Sequence, residues 1–113
     1  MMQFVIDTHG SSATLRLSGS FDMEAHAPFR NAYRQALAAG AVRTLTLELS
    51  GVDYIDSSAL GMLLLLQGEA EKQEIGITLA GCRPFVLNVL TTANFHKLFR
   101  ITQTSRNAAD SAD

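Results

Sequence analysis

The chain has 113 residues, the length of one ordinary domain, and 47% of them are hydrophobic, which is enough to bury a core without metal ions or disulfides. The formal net charge is −2 and the nine Lys and Arg residues are scattered, which argues against a surface for nucleic acid or anionic membranes. The single cysteine, Cys82, excludes an intramolecular disulfide, fits a reducing cytosol, and is expected to be a small buried hydrophobic residue.

The first elements along the chain read as a β-hairpin. Apolar residues in Met2–Thr8 predict one strand, and the alternation of apolar and polar residues over 13–17 predicts a second. Turn-forming residues at 9–12 separate the two strands. Residues 18–20 break the alternation.

A helix is expected next, at about 25–39, because apolar residues recur there at three- and four-residue steps. Pro28 fits in its first turn, and Gly40 follows its end. Renewed alternation over 44–49 predicts a third strand, which we expect to be followed by a loop at 50–55.

The second half of the chain predicts two further helices and a fourth strand. The second helix is expected at 57–72, the fourth strand at 77–80, and a third helix, started by Pro84, reaches about residue 90. A helical turn near 94–98 and a short closing strand complete the pattern. Strands that alternate with helices predict an α/β fold with a mixed sheet of four or five strands.

This pattern predicts one domain over residues 1–104 and a flexible polar tail over 105–113. The start of the chain shows no signal-peptide pattern, and the longest apolar run, 59–66, is too short to cross a bilayer. We therefore expect a cytoplasmic protein that does not bind membranes.

The most informative segment lies at the start of the second helix. Asp56 or Ser57 is expected to be its N-cap, beyond the carboxyl end of a strand, where open α/β sheets carry functional loops. A helix N-terminus favours anions, so a phosphate on Ser57 would be tolerated by the backbone but not by a partner packed over it. Plain helix capping explains the same residues without any further role.

Two other features of this helix point to a binding surface. Gly61 costs roughly 1 kcal/mol relative to Ala inside a helix, which a close approach by a neighbour would justify. The run 62–66 is apolar on nearly every side of the helix, so one stripe must face the sheet. Another stripe is either covered by the neighbouring helix or open to a partner.

Three stretches of the chain carry a specific pattern. The first is Asp56-Ser57-Ser58-Ala59-Leu60-Gly61 with the apolar residues after it, the second is 17–22, which ends in Gly-x-hydrophobic-Asp, and the third is 80–87 together with the aromatic segment 95–99. Together they resemble the STAS-domain family of sulfate transporters and anti-sigma factor antagonists, in which a strand ends as 17–22 does. The likeness covers roughly residues 3–103. It implies a STAS-like fold, with helices packed mainly on one face of the sheet.

The resemblance also implies a function, that of a phosphorylation-controlled anti-sigma factor antagonist. A GHKL-type serine kinase that is also an anti-sigma factor would phosphorylate Ser57, and Ser58 is the second choice. The unphosphorylated chain would bind this kinase and the phosphorylated chain would be released. A metal-dependent serine phosphatase would restore the active form.

The residues that the resemblance assigns to partner binding include Asp22, for which capping of the first helix is an equally weighted interpretation. Ala59 stands where many members of the family have Gly, which leaves the serine pair intact and, because Ala is the better helix former, implies a stiffer helix start. The whole partner-binding set is Asp22, Asp56, Ser57, Ser58, Ala59, Leu60 and Gly61.

The main alternative is a STAS subunit of a phospholipid ABC transporter that binds its ATPase, although such subunits often lack the serine pair. An enzyme is not expected: the chain has no Gly-x-Ser-x-Gly elbow, no phosphate-binding loop and no zinc-ligand spacing, and its three histidines are far from Ser57 in sequence. We therefore predict no catalytic residues, no metal site and no cofactor. Glu69, Glu71 and Glu74 are expected to form a solvated helix face.

Overall fold

A computed structural model describes residues 2–103. The strands are β1 (Gln3–His9), β2 (Ser12–Phe21), β3 (Thr44–Ile55), β4 (Gly76–Cys82) and β5 (Arg100–Gln103). The helices are α1 (His26–Leu37), α2 (Ser57–Lys72) and α3 (Pro84–Thr92), and short 3₁₀ turns occupy Met23–Ala25 and Phe95–Lys97. The tail predicted at 105–113 lies outside the described residues.

The five strands form one mixed sheet in which spatial order follows chain order. β1 and β2 are antiparallel, as the predicted hairpin requires, and all later neighbours are parallel. Because parallel crossovers are right-handed and the strands advance in one direction, each connecting helix lands on the same face. The α/β fold, the mixed sheet and the packing of helices on one face are therefore confirmed.

The core lies between this face of the sheet and the helices. Phe29 of α1 is fully buried and joins an aromatic cluster, with ring centroids 5.0 Å from Phe21, 5.2 Å from Tyr33 and 6.3 Å from Phe4. The cluster fixes α1 over β1 and β2, and so places the start of α1 beside the end of β2. Cys82 is buried, as predicted.

The predicted loop at 50–55 is wrong, and the break in alternation at 18–20 does not end the second strand, which stops just before Asp22, as the resemblance of 17–22 implies. β2 continues past 18–20 to Phe21, and β3 continues through the predicted loop to Ile55, with Phe21 paired to Ile55. Two irregularities in the register of β2 against β3 interrupt the alternation while pairing continues on either side of them. Gly19 has a φ of 101° in this region, a conformation that suits glycine.

The extension of these strands depends on a second glycine, Gly51. A Cβ at Gly51 would lie 2.9 Å from the Cβ of Ser18, so only glycine permits this approach of β2 to β3. The extension carries both strands to the same edge of the sheet, where the candidate site lies. By contrast, α2 has the bounds predicted for it, 57–72.

Candidate functional site

The site begins where two neighbouring parallel strands end. Phe21 and Ile55 are the last paired residues of β2 and β3, so Asp22 and Asp56 follow them side by side at the carboxyl edge of the sheet. The Asp56 N–H also donates a hydrogen bond of 3.4 Å to the Phe21 carbonyl. Two acidic side chains are thereby brought to the start of α2, although 34 positions separate them in the sequence.

Asp56 is the N-cap of α2. Its backbone is extended, and its Oδ1 accepts a hydrogen bond of 3.0 Å from the Ser58 N–H and another from the Ser58 hydroxyl. One otherwise unpaired donor of the first turn is thus satisfied. The sequence allowed either Asp56 or Ser57 as the N-cap, and in the structure the N-cap is Asp56, which binds Ser58.

Ser57, the first residue of α2, is exposed. Its hydroxyl makes no hydrogen bond to any residue within 2–103, whereas the half-buried Ser58 hydroxyl donates to Asp56. The hydroxyl of Ser57 therefore stands outside the fold, at the positive end of a helix of 16 residues. A phosphate could be added there without breaking a side-chain hydrogen bond within the described part of the chain.

The remaining residues predicted for partner binding differ in exposure. Asp22 is half-buried and caps the 3₁₀ turn, because its Oδ1 accepts a hydrogen bond of 3.1 Å from the Glu24 N–H. Leu60 is half-buried and Gly61 is exposed. Ala59 is 0% exposed, so its side chain cannot reach a partner and could affect binding only through the helix start.

An apolar groove of about 240 Å³ opens between the start of α1 and the first turns of α2. We call it the α1–α2 groove, and its lining residues are Met23, His26, Ser58, Gly61, Met62 and Leu65. The second apolar stripe of α2, which the sequence left either covered by the neighbouring helix or open to a partner, is thus partly open. Apart from the two chain neighbours of Gly61 and the adjacent backbone of α2, nothing within residues 2–103 comes within 4 Å of a Cβ placed there, so close approach by another element does not explain this glycine.

Sequence reasoning missed two of the lining residues, Met23 and His26. His26 is the titratable one of the two. It is 32 positions from Ser58, and no local motif links the two. Within the described residues no hydrogen bond joins them, since the Ser58 hydroxyl donates to Asp56. No three His, Cys, Asp or Glu side chains among residues 2–103 come together as a candidate metal site.

Glu71 and Glu74 are exposed, as the prediction of a solvated face requires, whereas the Glu69 side chain is 29% exposed and holds the far end of the helix pair. The Tyr33 hydroxyl donates to Glu69 Oε2 at 2.9 Å, and Arg34 donates to both carboxylate oxygens at 3.1 Å. The hydrogen bonds from Arg34 lower the pKa of Glu69, and burial together with the bond to Glu69 raises the pKa of Tyr33 to about 12. This cluster holds α1 beside α2.

We expect the contribution of Glu69 to stability to depend on pH. Because its pKa is lowered on folding, the contribution is complete above the unfolded pKa of about 4.3 and is lost as pH falls through the folded value. The free energy of unfolding of the native chain should therefore exceed that of Glu69→Gln by less at pH 2.5 than at pH 6. Urea titrations at both pH values measure this difference, and a constant gap would contradict it.

Tyr33→Phe provides the control for the neutral part of the cluster. It should lower the free energy of unfolding by about 1 kcal/mol at pH 6, since one partly buried hydrogen bond is lost while the ion pair remains.

Comparison of the sequence with known proteins shows the family of this chain. The sequence model described as "Mlab, STAS domain" matches residues 4–102. A STAS-domain containing protein of Pseudomonas aeruginosa (strain UCBPP-PA14) is 42% identical over 93 residues, which cover 82% of this chain and 90% of that protein.

Two solved structures share the fold at lower identity. An anti-sigma factor antagonist from Mycobacterium paratuberculosis has a TM-score of 0.75 and 22% identity, over 97% of this chain and 92% of that one. The phosphorylated form of the Bacillus cell fate determinant SpoIIAA has a TM-score of 0.68 and 23% identity, over 96% of this chain and 97% of that one. None of the helices within residues 2–103 is long and apolar enough to span a membrane.

Proposed function

The chain belongs to the STAS-domain family, and from that premise we propose that it is an anti-sigma factor antagonist switched by phosphorylation of Ser57. Unphosphorylated, it binds a GHKL-type serine kinase that is also an anti-sigma factor; phosphorylated, it is released. A metal-dependent serine phosphatase reverses the modification. The exposed hydroxyl of Ser57, with no hydrogen bond to the described residues, is the observation that carries the proposal.

The switch works through charge placed at the start of a helix. Phosphate on Ser57 brings a charge of about −1.5 to −2 beside Asp56, and the free end of α2 partly balances it while water surrounds the site. A docked kinase removes that water. The dianion is then desolvated next to carboxylates, so binding weakens although the fold of the free chain is kept.

Two of the structural neighbours support this assignment. One structural neighbour is an anti-sigma factor antagonist, and another is SpoIIAA in a phosphorylated form. In this role the chain is a cytoplasmic binding protein, without catalytic residues, a metal or a cofactor. Asp22, Asp56, Ser58, Leu60 and Gly61 surround Ser57 as the partner-binding surface, and Ala59 supports it from the core.

Purified GHKL kinases from the same genome, each incubated with the chain and ATP, test the proposal. Mass spectrometry should find one phosphate, on Ser57, in the native chain and in Ser58→Ala, and none in Ser57→Ala. Phosphate that persists in Ser57→Ala would contradict the assignment. If no kinase modifies the chain and it instead co-purifies stably with an ABC ATPase, it is a transporter STAS subunit.

A further inference from the structure

We propose that Gly61 is a docking contact, at which an apolar side chain of the kinase enters the α1–α2 groove beside Ser57. This inference rests on the proposed function and adds the chemistry by which the partner is recognised. The groove would accept one aliphatic or aromatic side chain, carried on a surface with Lys or Arg nearby.

The first argument is that Gly61 lowers the stability of α2, while no contact with another described element requires a glycine there. A glycine inside a helix is less favourable than alanine by about 1 kcal/mol. Gly61 does not have a positive φ, and apart from its two chain neighbours and the adjacent backbone of α2, nothing within residues 2–103 lies within 4 Å of a Cβ built there. The fold of this chain would therefore accept alanine or a larger residue, and the empty space above Gly61 is available to another molecule.

The second argument is the chemistry of the groove. Its lining is mainly apolar, and two of its side chains are unusually open to water, since Met23 is 73% exposed and Leu65 is 51% exposed. Leu64, on the adjoining surface of α2, is 46% exposed. A side chain that enters the groove would bury this apolar surface, and the flexible thioether of Met23 can adjust to its shape.

The third argument identifies the occupant. Ser58 lines the groove and directly follows Ser57, so a kinase that reaches Ser57 must cover the adjacent end of the groove. The tail cannot fill the groove with a large apolar group, because 104–113 contains no aromatic, Leu, Ile, Val or Met residue.

Charge favours the same kind of partner. Asp22, Glu24 and Asp56 lie at the Ser57 end, and no ion pair within residues 2–103 uses them. A partner surface with Lys or Arg fits this rim, and an acidic surface does not.

Gly61→Leu and Gly68→Leu form a matched pair for the test. Both glycines lie in α2 with open space around them, and they are two helical turns apart, but only Gly61 lines the groove. Urea unfolding should show both variants at least as stable as the native chain, because each replaces a glycine within a helix. With the kinase that modifies Ser57, Gly61→Leu should raise KM at least tenfold with little change in kcat. Gly68→Leu should stay within twofold of the native values.

The same variants, tagged and expressed in cells of the source organism, give a second readout by mass spectrometry. Phosphate on Ser57 should be depleted in Gly61→Leu and normal in Gly68→Leu. Native-like phosphorylation of Gly61→Leu would overturn the docking contact and leave the proposed function intact. A native chain without phosphate on Ser57 would overturn both. A homodimer that Gly61→Leu dissociates in sedimentation would identify a second copy as the occupant, against this proposal.

Discussion

Ser57→Glu should bind the kinase at least tenfold more weakly than Ser57→Gln, while the two variants unfold at nearly the same urea concentration. The two side chains have the same size and differ in charge, so the comparison isolates the effect of a negative group at the start of α2. Tenfold corresponds to about 1.4 kcal/mol, a modest fraction of the cost of desolvating a carboxylate beside Asp56. Phosphate carries about twice the charge and should have a larger effect.

The stability of Ser57→Glu follows from the exposure of the site. A carboxylate in the first turn of a helix is stabilising by about 0.3–1 kcal/mol, which offsets repulsion from Asp56 across water. Isothermal titration calorimetry with the kinase, alongside urea unfolding of the free variants, measures both quantities. If Ser57→Glu and Ser57→Gln bind equally well, charge is not the switch, and if Ser57→Glu unfolds, Ser57 is not outside the fold.

Phe29→Ala should lower the free energy of unfolding by about 3–5 kcal/mol, the largest loss of stability that we expect from a single substitution here. Phe29 is 0% exposed and contacts three other aromatic rings, so its removal leaves a cavity and loses the ring contacts together. Because domains of this size are stable by about 5–15 kcal/mol, the variant should remain folded at 25 °C only marginally.

Phe85→Ala is the matched control for Phe29→Ala. Phe85 lies at the start of α3 and is 41% exposed, so the same change there should cost less than about 1.5 kcal/mol. Chemical denaturation monitored by circular dichroism compares the two. Equal losses would mean that the aromatic cluster is not the main support of α1, and that the position of the α1–α2 groove depends on other contacts.

Local sequence determined those features that depend on neighbours along the chain. The apolar period and the Asp-Ser-Ser start of α2 predicted its bounds, because capping and helical periodicity are properties of a few adjacent residues. The alternation of strands and helices similarly led to the correct fold class. The motif around Ser57 led to the correct family, since it is a continuous segment that can be recognised without coordinates.

Tertiary structure alone decided what depends on residues distant in sequence. The pairing of β2 with β3 continues across irregularities that interrupt the alternation, so the alternation does not mark where these strands end. Glu69 resembles a solvated residue until α1 brings Tyr33 and Arg34 against it. The exposure of Ser57 was also visible only in the structure, where the Ser58 hydroxyl donates to Asp56 and that of Ser57 faces water. Exposure and long-range contact arise when separate elements pack together, and so a single segment does not encode them.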